Sequence, residues 1–166
     1  MRRYRCPALE RLDLGATLIS DTSVRALAAL KNLQQLDLYG SQVSDETLLA
    51  VIRNNPRLEV LGLKYCSILT VDGTLTALRA ALHVHTLSLR RAQWRSLELT
   101  MFLLALVEAP SGTEPLLPHL RFFEIDEPKQ DRHALVDAIF RVRRARPLLD
   151  LQLVPNNTWH KPLVHI

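Results

Sequence analysis

The chain has 166 residues, 48% of them hydrophobic and 23% charged, which is ordinary for one folded domain and excludes a disordered segment. Its net charge of +4 is mildly basic, compatible with an acidic protein, an anionic lipid face or RNA, but requiring none of them. The longest apolar run, 101–107, is far too short to cross a bilayer. No secretory leader is visible, because Met1-Arg2-Arg3-Tyr4-Arg5 runs straight into the first repeated block.

Six blocks of similar pattern follow: Leu9–Leu14, Leu33–Leu38, Leu58–Leu63, Val84–Leu89, Leu120–Ile125 and Leu148–Leu153. Their starts are spaced by 24, 25, 26, 36 and 28 residues. L-x-x-L-x-L at a period in the mid-twenties marks a leucine-rich repeat, each unit a strand followed by a helical return. Side chains alternate along a strand, so positions 4 and 6 of each block point into a shared core while positions 3, 5 and 7 point the other way. One unit cannot bury its leucines alone, and stacking buries them in a column. The predicted fold is an α/β solenoid of about six repeats, with a curved parallel sheet and helices on the convex side.

Cys6-Pro7-Ala8-Leu9 matches Asn55-Pro56-Arg57-Leu58 and Leu117-Pro118-His119-Leu120, the proline ending a connection and biasing its neighbour to extended geometry. The chain is therefore expected to open just before a strand, with its first edge covered by something else. Thr17, Ser41 and Cys66 form a polar ladder after the first three strands. Then come Ile19-Ser20-Asp21, Val43-Ser44-Asp45 and Leu69-Thr70 with Asp72, whose hydroxyl or carboxylate suits a helix cap. Helices are expected over 22–30, 46–54 and 73–82, with Val24, Leu27 and Leu30, and Leu75, Leu78 and Leu82, as inner stripes.

The pattern C-P-x-L-x-x-L-x-L followed by I-[ST]-D-x-x-[LV]-x-x-L resembles the cysteine-containing leucine-rich repeats of F-box substrate receptors and their relatives. The match is good over the first half and looser beyond. The resemblance implies a solenoid that grips a protein on its concave face or at one end. The F-box is absent from these residues, which removes the implied link to a ubiquitin ligase and leaves the repeat module.

The second half departs from the regular pattern. Ala92 stands where a ladder residue is expected, and an apolar helix is predicted over 94–109. Leu97, Met101 and Leu104 share one side of it; Leu99, Phe102, Leu103 and Leu106 fill most of the rest, a pattern expected of a helix buried on both sides. One set serves the internal core and the other lies under the inserted loop 110–118 or against another protein, which makes Phe102, Leu103 and Leu106 candidates for a second interface. Residues 110–118 read as an inserted loop that accounts for the 36-residue spacing. A last helix is expected over 131–146, with Leu135, Ala138, Ile139 and Val142 inside and Arg141, Arg143, Arg144 and Arg146 behind. The regular repeats thus cover about 9–83, the irregular ones 84–154, and 155–166 forms a C-terminal cap or arm.

The strand rule places Arg11, Asp13, Gln35, Asp37, Tyr39, Val60, Lys64, Thr86, Ser88, Arg90, Phe122, Glu124, Asp126, Asp150 and Gln152 on the concave face. Tyr39 and Phe122 have no packing need there, which marks the face as a protein-binding surface. Arg2, Arg3, Arg5 and the Arg141–Arg146 run read either as solvated helix faces or as contacts to an acidic partner, an anionic lipid face or an RNA backbone; no aromatics interleave with Arg141–Arg146, so base stacking is unsupported. His83-x-His85 has no further ligand near it in sequence for a zinc site, and with five glycines there is no phosphate-binding loop. Cys66 reads as a buried ladder donor and Cys6 as a helix-end packing residue. The expected function is non-enzymatic: a structural or accessory subunit of an intracellular assembly, or else a free recognition adaptor, without cofactor, metal or small-molecule substrate. Two cysteines without paired caps point to a reducing compartment, cytosolic or organellar, the mitochondrial matrix included.

Overall fold

The computed structural model describes residues 6, 8–17, 19–90, 94–109, 114–126 and 132–155. Arg2, Arg3, Arg5, Ala92, the start of the inserted loop and the arm after Pro155 lie outside them. Six strands form one parallel sheet in sequence order: β1 (Arg11–Asp13), β2 (Gln35–Asp37), β3 (Val60–Gly62), β4 (Thr86–Ser88), β5 (Phe122–Asp126) and β6 (Asp150–Val154). Every block expected from the repeat contributes one strand. The returns are α1 (Asp21–Ala26), extended by a 3-10 turn over Leu27–Ala29, then α2 (Asp45–Asn54), α3 (Val71–Leu78), α4 (Ser96–Ala105) and α5 (Arg132–Ala145). Each helix packs on the next, so the described helices form one layer on one side of the sheet.

The register explains the core. Leu12, Leu36, Leu61, Leu87, Phe123 and Leu151 lie side by side across the six strands. All but Leu12, which stands on the edge strand, are buried. At repeats four and five aromatics replace aliphatics: Trp94, Phe102 and Phe123 follow one another at ring distances of 5.4 Å. The Trp94 indole N–H also donates to the Leu69 carbonyl at 3.1 Å, tying the irregular half to repeat three.

The recurring aspartates do more than face their own helices. The Asp21 carboxylate accepts the Ser44 backbone N–H at 2.7 Å and the Thr47 hydroxyl at 2.9 Å, both in the next repeat. Asp45 repeats this on Thr70, accepting its N–H at 3.1 Å and its hydroxyl at 2.6 Å. Ser44 and Thr70 in turn cap α2 and α3, accepting the N–H of Thr47 and Gly73. Each aspartate therefore staples one helix start to the next. Val71 stands at the corresponding place in repeat three, and the series ends there.

Gly73 makes room for the second staple, since a Cβ there would lie 1.9 Å from Asp45 Cγ. Helix propensity alone would make Gly73→Ala stabilising by about 1 kcal/mol. We expect the reverse, because the methyl group displaces the carboxylate from Thr70. A net loss of about 1 kcal/mol, seen as a Tm lowered by about 2–4 °C, is the expected result. A raised Tm would show that Asp45 contributes nothing to the stacking.

Three local expectations need correction. Leu148, taken from the sequence as the buried first leucine of the sixth block, is 91% exposed, and Leu149 is buried instead. The reason is a shifted turn: the Leu149 N–H closes onto the Arg146 carbonyl, as the Leu120 N–H does onto Leu117. Leu82 is exposed rather than part of an inner stripe, because α3 ends at Leu78 and the chain has already turned away. Cys6 is exposed and is not a packing residue.

Helix four also differs from its expectation. It spans ten residues, and only one side of it is covered. Leu99, Phe102, Leu103 and Leu106 face the core, whereas Leu97 is 68% and Met101 46% exposed. Phe102, Leu103 and Leu106 are therefore interior groups rather than a second interface, and the bare apolar residues are Leu97 and Met101. The described end of the inserted loop does not reach them. Its Leu116 and Leu117 are buried, and the Leu116 N–H donates to the Ala105 carbonyl at 3.1 Å, at the other end of the helix.

Candidate protein-binding face

The side of the sheet away from the helices carries alternate strand residues in parallel rows. One row is Asp13, Asp37, Gly62, Ser88, Glu124 and Gln152; the row before it is Arg11, Gln35, Val60, Thr86, Phe122 and Asp150. Tyr39, Lys64, Arg90 and Asp126 follow at the C-terminal ends of their strands. Parallel pairing thus brings the expected concave-face residues onto one surface. Their environments divide into a closed centre and an open periphery.

In the centre, the Lys64 ammonium lies 2.8 Å from Glu124, and the Ser88 hydroxyl donates to the same carboxylate at 3.0 Å. The Arg90 guanidinium reaches Glu124 at 3.7 Å and Asp126 at 3.3 Å. Lys64, Ser88, Arg90 and Glu124 are all buried, with Arg90 only 2% exposed. Two cations and two carboxylates from three strands neutralise one another, as buried charges must. These four residues correct the expectation of exposed contacts: they form a fixed polar floor.

Toward β1, Asp13 and Asp37 are neighbours in register, while Lys64 is directed to Glu124. Asp37 leans over Gly62, where a Cβ would stand 2.6 Å from its carboxylate oxygen, so the glycine admits it to the sheet surface. Burial raises its pKa above the ordinary 3.8, opposed by the hydrogen bond from the Tyr39 N–H; repulsion from Asp13 raises it further, and Lys64 lowers it. A raised native pKa means that the native state holds this proton more tightly than the unfolded chain does. Stability contributed by the neutral form is then lost as pH rises through the ordinary value toward the native one. Asp37→Asn removes that loss. Its Tm advantage over the parent should grow between pH 3 and neutrality, whereas an advantage that shrinks with rising pH would contradict the assignment.

Around the floor, Tyr39 and Tyr65 meet edge-on with ring centroids 5.1 Å apart, both half-buried, and Phe122 and Thr86 are half-buried on β5 and β4. Arg11, Asp13, Asp150 and Gln152 are exposed at the two ends. Tyr65 is the residue that strand alternation missed: it lies outside the alternation, with a φ of +60° in the turn after β3. Its place one residue before the ladder cysteine was the available signal.

The ladder is internal at Ser41 and Cys66, while Thr17 on the first repeat is exposed. The Cys66 thiol donates to the Leu38 carbonyl at 3.2 Å and lies 3.6 Å from the Ser41 hydroxyl. Burial pushes its pKa up to about 11, which keeps it a thiol at neutral pH. On α5, the expected basic cluster is divided. Arg146 donates to the Leu116 and Leu117 carbonyls at 2.7 and 2.6 Å, clamping the inserted loop, and its half-buried position lowers its pKa. It is an internal clamp rather than a partner contact. Arg141 pairs with Glu108 and Asp137, leaving Arg143 and Arg144 exposed in the last turn. Among the described residues, no three His, Cys, Asp or Glu side chains are grouped to hold a metal.

Residues 2–111 match the family model described as FBD-associated F-box protein At5g56370, LRR repeats. The chain belongs to this leucine-rich repeat family. A solved structure of the tropomodulin C-terminal domain from Caenorhabditis elegans is similar to it with a TM-score of 0.59 and 17% identity, over 86% of this chain and 85% of that one. At that identity the likeness concerns the fold alone. The family is one of protein-interaction modules, typically without enzymatic activity. No described helix is long and apolar enough to cross a membrane.

Proposed function

We propose that this chain is a non-enzymatic subunit of a larger intracellular assembly, holding a partner protein on the concave face. The observation that carries the reading is that the helical side carries bare apolar groups as well. Leu97 and Met101 on α4, and Val136 and Phe140 on α5, are exposed large hydrophobics. A free soluble adaptor has no use for them, whereas an embedded subunit covers them. The rigid, self-neutralised floor suits a surface whose rim makes the contacts, because its charges need no partner to be satisfied. A reducing compartment accords with two free cysteines, one of them hydrogen-bonded inside the core.

Family membership favours a second reading, a free recognition adaptor that uses the same face. Affinity capture from an extract of the native source separates the two. The full chain, Arg11→Glu/Asp13→Lys and Leu97→Asp/Met101→Asp serve as baits. A subunit captures a fixed set of proteins, and each pair of substitutions removes a different member. An adaptor loses its partners only through the concave pair. Capture unaffected by either pair overturns both readings.

A further inference from the structure

The bare apolar groups of α4 and α5 belong to one surface, because the two helices lie side by side. The strands before them are parallel, so the helices run in the same sense. The Arg141–Glu108 pair fixes their relative height: position 141 stands level with 108, just past the end of α4. By that offset Phe140 lies further along than Met101 by about six residues, or roughly 9 Å. Leu104, half-buried, falls between the two heights.

The charge of this surface is balanced. Glu108, Asp137, Arg141 and Arg144 stand among the apolar groups, all exposed. Arg141 is shared by the two acids, which leaves Arg144 without an acidic partner among the described residues. A face meant for a strongly charged partner would carry one sign. One with both signs around an apolar centre can receive its own copy without net repulsion.

We propose that this face pairs two copies of the chain about a two-fold axis normal to it, placed between α4 and α5. Such an axis exchanges the helices, so α5 of one copy lies antiparallel across α4 of the other. With the axis midway between Met101 and Phe140, each Met101 meets Phe140 of the second copy, a favourable sulfur–aromatic contact. The same operation carries Arg144 to Leu97 and Glu98, where its stem covers the leucine and its guanidinium reaches the carboxylate. It carries His133 to Glu108. One placement thus covers the apolar groups and supplies the acid that Arg144 lacks. The two helices, ten and fourteen residues long, make a face of about 20 Å by 20 Å. That is small for a dimer, and a Kd of about 1–100 µM is expected. The inference rests on the proposed reading that the helical side is covered, and names a second copy as what covers it.

Sedimentation velocity of the full chain from about 2 to 200 µM tests the pairing. A monomer–dimer equilibrium is expected, weakened at least about tenfold by Phe140→Asp. Phe140 is 65% exposed, so the substitution should leave the fold intact. If it lowers the Tm, Arg144→Glu, also exposed, gives the same reading by setting two carboxylates together. Disulfide cross-linking then reads the geometry in a Cys6→Ser background, whose remaining Cys66 is buried. Met101→Cys chains cross-link to Phe140→Cys chains. Neither cross-links to itself, because like positions stand roughly 13 Å or more apart, beyond disulfide reach. A monomer throughout, a dimer indifferent to both surface substitutions, or self-cross-linking of Met101→Cys chains overturns the pairing. No other protein is present in these measurements, so their failure is distinct from that of the proposed function, which falls only if the capture experiment fails.

Discussion

Leu61→Asp is expected to abolish cooperative unfolding. Leu61 lies between Leu36 and Leu87 in register and is completely buried at the middle of the leucine column. Of the charged groups near it in sequence, Glu59 is exposed beside His85 and Lys64 is held by Glu124 on the other face of the sheet, so a carboxylate at 61 has no partner. Burying it unpaired costs several kcal/mol, a large share of the about 5–15 kcal/mol that holds a domain together. Leu61→Met, which conserves volume, should cost less than about 1.5 kcal/mol and serves as the control. Thermal melts followed by circular dichroism decide it. An aspartate variant that melts within about 2 °C of the parent would mean that Leu61 is not part of the column.

The second large effect belongs to the polar floor. Glu124→Ala leaves Lys64 and Arg90 buried with one carboxylate fewer, and a loss of about 3–5 kcal/mol is expected for breaking such a cluster from one side. Arg90 retains Asp126 at 3.3 Å, so Lys64 is the group left stranded. Removing both members, as in Lys64→Met with Glu124→Leu, also removes both desolvation costs and should recover much of the loss. The pair then departs from additivity by more than about 1 kcal/mol in a double-mutant cycle, measured by urea unfolding. Additive losses would contradict a coupled floor.

The strands were legible because the two-residue alternation and the repeat spacing act together: a leucine displaced by one position would face solvent, so the pattern specifies register. The floor was not legible. Lys64, Arg90 and Glu124 are separated by 26 and 34 residues, and sequence says only that each points away from the leucines. Their mutual neutralisation depends on three strands standing side by side at that register. In α4 the difficulty is different, since leucines on every side erase the periodicity that would mark an inner stripe, and only contact with Phe123 and the sheet selects Phe102 over Met101. The aspartate staples lay in plain view in the recurring Ser-Asp pairs. They read as caps for their own helices because a contact with the next repeat has no local signature. Leu148 and Leu149 are adjacent leucines, and the turn from Arg146 alone chooses between them.

The central claim is that a partner binds the open face of the sheet. Hydroxyl-radical footprinting of the full chain, alone and with the one captured protein that the Arg11→Glu/Asp13→Lys bait loses, tests this side chain by side chain. Binding on the concave face protects Tyr39 and Tyr65 and leaves Met101 as reactive as before. Protection of Met101 with no change at the two tyrosines would place the interface on the helical side and contradict the assignment.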